Sequence, residues 1–150
     1  MSQLITGEKT PQQMKDMREC GKMLATIYDE LKKSVTAGMS ELDANDFVAK
    51  RIKDFGAEAT YLTDEVKFPG VICISTNEQL VHSFPTEYVF EKGDVVSFDL
   101  VIGYKGYHTD AAFTTVVGKA NPAGKQMIKT TEKALWAGIE TVAPGVHLGD

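Results

Sequence analysis

Two aspartates, Asp99 and Asp110, stand in the stretch FDLVIGYKGYHTDAAFT, residues 98–114. It reads as a strand, a glycine-flanked turn and a second strand. Gly103 and Gly106 flank Tyr104 and Lys105, so a two-residue loop there pairs 103 with 106 and sets Asp99 opposite Asp110, their Cβ atoms about 4.5–5.5 Å apart. With the loop at Lys105–Gly106, Asp99 opposes Ala112 and Asp110 becomes its diagonal neighbour. In either register the side-chain period of two turns both carboxylates to one face. Like charges so placed repel, and in an apolar setting one would take a proton. A divalent cation removes the conflict, and paired carboxylates suit Mn, Fe, Co, Zn or Mg. With a second metal nearby, the pair could bridge the two and activate a water between them. The competing reading has one aspartate capping a turn and the other solvated at a sheet edge, and D-x(10)-D alone does not separate them. Phe98, Leu100 and Val101 leave little room for a solvated Asp99.

A third group is His82, in TNEQLVHSFP. It follows a short buried strand, and Pro85 stiffens the chain after it. A histidine held there can donate to a carbonyl under attack or shuttle a proton. An ordinary loop histidine fits the spacing equally. His108 shares Asp110's face and is a second candidate; His147 has no context. Cys20 and Cys73 form no C-x-x-C, so neither a zinc knuckle nor a redox pair is indicated, and packing is the expected role of each.

These groups need a scaffold, and the chain supplies one. Its 150 residues fit one domain, with 43% hydrophobic and 25% charged residues. A net charge of −5 argues against nucleic acid, which demands a basic surface. No apolar run approaches a membrane span and the start has no signal-peptide pattern, so the expected location is the cytoplasm. Thr10 before Pro11 starts a helix, and Met14, Met17, Leu24, Ile27 and Leu31 carry it to about Lys33. Ser40 with Asp43 resembles a capping box for a second helix through Leu42, Phe47, Val48, Ile52 and Phe55, stopped by Gly56. Strands are expected at 71–75, 95–102 and 109–117. NPAG at 121–124 opens a third helix along Met127, Ile128, Leu135, Ile139 and Val142, ended by Pro144 and Gly145. The order α, α, β, β, β, α predicts an α+β fold: an antiparallel sheet with helices on one face.

FPGVICISTNEQLVHSFP followed by GDVVSFDLVIGYKGYHTDAAFT resembles the type I methionine aminopeptidases of the pita-bread fold, and the similarity runs through residues 10–150. Asn77, His82, Pro85, Asp99 and Asp110 align with family positions. The resemblance implies two divalent metal ions per complete site (Mn, Fe, Co or Zn), with Asp99 a bidentate ligand of one and Asp110 bridging both. It implies that His82 contacts the substrate and stabilises the tetrahedral intermediate, and that Phe68 and Cys73 line the methionine side-chain pocket. The implied activity is removal of an N-terminal methionine ahead of a small second residue, with nascent chains as substrate. The departures are Ser83, where the family has glycine, and YLTDEVK, which lacks the expected aromatic near Glu65.

The family draws another histidine and two glutamates from a second, pseudo-symmetric half. Residues 1–150 are therefore expected to be the N-terminal part of a single metallopeptidase domain, half of a pseudo-two-fold fold, and to be inactive alone. Such a half would expose a long apolar edge and face, which a second copy of the chain could cover as a homodimer. The alternatives are an aminopeptidase P or prolidase-type enzyme, and a catalytically silent relative that binds peptides or partner proteins.

Overall fold

The computed structural model describes residues 8–62, 67–118, 122–147 and 149. Helix α1 (Pro11–Ser34) starts where its signals say. The Thr10 side chain accepts from the Gln13 amide while the Gln13 side chain accepts from the Thr10 amide, and Pro11 fills the first helical position. Helix α2 (Glu41–Asp54) has the same reciprocal cap between Ser40 and Asp43. It ends at Gly56, whose φ of +64° is open to glycine at no steric cost. The Gly56 amide donates to the Lys53 carbonyl and the Ala57 amide to the Ile52 carbonyl, closing the helix end in a Schellman turn.

Four strands follow in one antiparallel sheet: β1 (Glu58–Ala59), β2 (Cys73–Thr76), β3 (Val95–Tyr104) and β4 (Tyr107–Val116). β3 is central, with β4 along one edge and β1 and β2 sharing the other. The short β1 and the 3-10 turn Thr60–Leu62 were not expected from sequence, and β2 begins two residues later than its apolar run. One face of the sheet is packed: Val96, Phe98, Leu100 and Ile102 of β3 meet Cys20, Leu24, Ile27 and Leu31 of α1 and Val48 and Ile52 of α2. Cys20 is fully buried there, as packing requires.

The turn between β3 and β4 departs from the first of the two registers. Tyr104 pairs with Tyr107, so the loop is Lys105–Gly106, not Tyr104–Lys105. Both loop residues have positive φ, +51° and +78°, which is the type I′ geometry that matches strand twist. Glycine suits the second position, and the bulky Tyr104 stays in the strand. Lys105, strained as a non-glycine residue, is held by Asp16 at 3.2 Å and Glu19 at 2.9 Å on α1.

Helix α3 (Pro122–Glu140) differs from its sequence pattern in placement. Of its apolar repeat Met127, Leu135 and Ile139 are exposed, as are Trp136 beside it and Val142 beyond the helix end, and Gly124 is its one buried residue. Helical periodicity shows that a stripe exists; it does not say that anything covers it. No helix among the described residues is long and apolar enough to cross a membrane.

Candidate metal centre

The observed register puts Asp99 opposite Ala112 and Asp110 opposite Val101, the diagonal arrangement. Both side chains project from the face that α1 and α2 leave open. The apolar neighbours Phe98 and Leu100 point the other way, into the core. Asp99 is consequently half-buried and Asp110 exposed, which corrects the expectation of a carboxylate enclosed by its sequence neighbours. This face is mixed: Ser75, Ser97 and Thr114 share it with the aspartates and with Val95, Val101 and Val116, and the Ser97 and Thr114 hydroxyls meet at 2.8 Å.

The two carboxyls are close enough for Asp99 to feel the charge on Asp110. Burial pushes Asp99 above its ordinary 3.8 and the charge on Asp110 adds to that, while the charge on His82 pulls the other way. Repulsion of this kind is relieved by a shared cation, and oxygen donors on rigid strands fit a hard or borderline divalent metal. Two carboxylates are part of a ligand set only. Among the described residues no group of three or more His, Cys, Asp and Glu side chains is gathered tightly enough to hold a metal ion.

His82 reaches this face from the loop after β2, close enough for Asp99 to feel its charge. Its φ is +58° and that of Asn77 is +56°, both in the region that disfavours side chains. Ser83, where glycine was expected, is not the residue that adopts it. The loop is fastened at several points. The Ile74 amide donates to the Ser83 carbonyl at 2.9 Å. The buried Pro85 rides on Gly70, where any Cβ would lie 2.9 Å from Pro85 Cδ, so glycine is required by close approach. Asn77 donates to Asp94 Oδ1 at 3.0 Å and accepts from the Val95 amide at 3.0 Å, tying the end of β2 to the start of β3. Burial pushes the Asp94 carboxyl up, but donation from Asn77, Glu91 and Tyr88 outweighs it and leaves it below the ordinary range.

Cys73 lies opposite Asp99 on the same face and is buried. Sequence reasoning missed its neighbour, Tyr61, whose phenol is close enough to influence the Cys73 thiol and whose ring stands 5.3 Å from that of Phe68. Burial drives both the phenol and the thiol upward, with Asp99 adding to each, so both stay protonated at neutral pH. Tyr61 opens the very segment that seemed to lack an aromatic; the signal was present four residues upstream of Glu65, which itself lies outside the described residues. His108 stands over Gly103, opposite Glu58 and two residues along β4 from Asp110.

The open sheet face thus carries two carboxylates, with a loop histidine near them and a thiol and two aromatic rings beside them. The profile of metallopeptidase family M24 matches residues 15–150, and the chain belongs to that family. Within it, the chain is 35% identical to methionine aminopeptidase 1 of Bacillus subtilis (strain 168) over 142 residues, 95% of this chain and 57% of that protein. The crystal structure of methionine aminopeptidase from Rickettsia prowazekii superposes with a TM-score of 0.91 at 29% identity, covering 96% of this chain and 58% of the other. Likeness to the prolidase from Pyrococcus furiosus is lower, TM-score 0.79 at 23% identity over 92% of this chain and 39% of that one, and speaks for the fold alone. The chain spans little more than half the length of the relatives it matches, and its α+β sheet with helices on one face corresponds to that part of the pita-bread fold.

Proposed function

We propose that residues 1–150 form the N-terminal part of a metal-dependent aminopeptidase that removes methionine from peptides and nascent chains with a small second residue. The observation that carries the reading is the diagonal placement of Asp99 and Asp110 on the open face, with His82 near enough for its charge to act on Asp99, in a chain of family M24. Asp99 and Asp110 would hold divalent metal, two ions in the complete site, as Mn, Fe, Co or Zn. Bound there, the metal would supply Lewis-acid polarisation of the scissile carbonyl and activation of the attacking water.

The chain's own residues do the rest. His82, exposed on a fastened loop, donates a hydrogen bond to the carbonyl oxygen as charge develops on it. Cys73 and Tyr61, uncharged at neutral pH, and Phe68 offer a soft wall to a thioether side chain. The remaining ligands come from outside residues 1–150, so the chain alone binds metal weakly and does not turn over. Action on nascent chains places the enzyme in the cytoplasm. The exposed stripe of α3 and the exposed Leu80, Val81 and Phe84 of the His82 loop give a second copy of the chain a surface to cover, and sedimentation that finds only monomer at high concentration removes that dimer.

The test is methionine release from Met-Ala-Ser by the chain alone and by the chain co-expressed with the remaining half of a full-length relative. Release by the complemented assembly, lost on Asp99→Asn, is the expected result. Release of proline dipeptides in its place would move the assignment to the prolidase type. Metal binding without any hydrolysis would favour a silent peptide-binding relative.

A further inference from the structure

The loop that carries His82 leaves β2 at Thr76 and rejoins the packed fold at Thr86, and one side chain holds both ends. The Thr76 hydroxyl donates to Glu41 Oε1 at 2.7 Å. The Thr86 amide and hydroxyl donate to Glu41 Oε2 at 3.0 and 2.7 Å. Glu41 is the first residue of α2 and only 2% exposed. The helix dipole favours a negative charge at that end, and the Glu41 and Leu42 amides donate onward to the Tyr88 and Thr86 carbonyls.

Adhesion alone does not explain a carboxylate here. These donors are hydroxyls and an amide, none of them cationic, and a buried charge costs several kcal/mol before its hydrogen bonds offset it. Apolar groups of similar volume would fasten α2 to β2 at lower cost. What a carboxylate adds is two acceptor oxygens at a fixed separation, one for each end of the loop. Between those ends lie Asn77 and His82, both left-handed. Strain at such a residue persists only where the surroundings over-determine the backbone.

We propose that Glu41 is the positioning residue for His82, a buried staple that fixes both ends of the 76–86 loop and so holds the imidazole over Asp99. The proposal rests on the metallopeptidase reading of Asp99, Asp110 and His82. Glu41 touches neither metal nor substrate and acts through the loop. Glu41→Gln keeps the shape: its oxygen accepts from Thr86 and its amide donates to the Thr76 hydroxyl, which turns round to accept. Glu41→Ala removes the side-chain acceptor from both ends, leaving only the backbone and Asn77 ties.

The experiment adds Mn²⁺ to the chain at a saturating concentration and reads paramagnetic relaxation by NMR at the His82 ring and at the Ala112 methyl, which sits opposite Asp99 on β4. The unsubstituted chain is expected to show strong relaxation at both. In Glu41→Ala the His82 effect falls several-fold while that at Ala112 stays, and Glu41→Gln restores the first. Should Glu41→Ala fail to fold, Thr76→Val, which frees one end only, gives a smaller loss at His82 with Ala112 again unchanged. Equal relaxation at His82 in variant and parent overturns the proposal. So does a parallel loss at both residues, which would make Glu41 a general stabiliser. No Mn²⁺ effect at either residue of the parent sinks the metal reading itself, and the proposal with it, an outcome distinct from the other two.

Discussion

Along β3 alternate residues live in different solvents. Val96, Phe98, Leu100 and Ile102 are wholly buried beneath α1 and α2, while Ser97, Asp99 and Val101 face the open side and are only partly covered. The packed side carries the stability of the strand, because each large apolar residue there removes area from water and fills space densely. The open side carries the chemistry, and it can hold charged groups because water, and by our reading metal, still reaches them. A single strand thus separates two demands that conflict when they fall on one surface: a carboxylate on the packed side would lack a partner, and a phenylalanine on the open side would be wasted.

Substitutions on the two faces should therefore fail differently. Phe98→Ala is expected to have the largest effect, about 3–5 kcal/mol lost in denaturant unfolding, because the ring stacks on Phe113 at 5.1 Å and meets Phe90 edge-on at 6.2 Å. Asp99→Asn on the open side should weaken Mn²⁺ binding about tenfold or more, roughly 1.4 kcal/mol per decade, while leaving the melting temperature of the metal-free chain unchanged or raised. Calorimetric titration and thermal unfolding of the same sample check both halves of that statement. A fall in melting temperature matching that of Phe98→Ala would erase the contrast between the faces.

The pH dependence of the metal-free chain sharpens the comparison further. Asp99 titrates above its ordinary 3.8 in the folded state. Its contribution to stability is then fully present below that value and is lost as the pH rises through its folded pKa. Subtracting the Asp99→Asn stability profile from that of the parent should isolate this fall, and a difference that rises with pH would reverse the assignment. The smallest effect is expected at α3: Trp136→Ser should shift unfolding by no more than about 0.5 kcal/mol, since the indole is 55% exposed. A loss of several times that size in dilute chain would show that the stripe is covered in solution.

Much of the scaffold was legible because its signals are local. Thr10 with Pro11, Ser40 with Asp43, and Gly56 place helix boundaries by hydrogen bonds that close within a few residues. The apolar run 95–102 marked the strand, which the structure extends to Tyr104; which of its residues face the open side was not read from it. The short β1 was not legible, because two residues pair only where β3 already offers an edge. Tyr61 escaped for a similar reason: its distance from Cys73 in sequence says nothing of the turn that brings phenol and thiol together. The exposure of the α3 stripe was not legible, because periodicity reports amphipathicity and is silent about what lies opposite.

The sequence by itself determined that Asp99 and Asp110 share a face, since both registers it left open obey the same period of two along a strand. It also singled out His82 and the elements that carry it. Tertiary structure alone decided which register forms, through the left-handed Lys105–Gly106 turn held down by Asp16 and Glu19. It alone decided which face stays open, and that a buried glutamate on α2 fastens the histidine loop. The reason is one of range: dihedral preference and side-chain alternation act between neighbours, whereas burial and a shared hydrogen-bond acceptor depend on groups that the chain brings together only when it is folded.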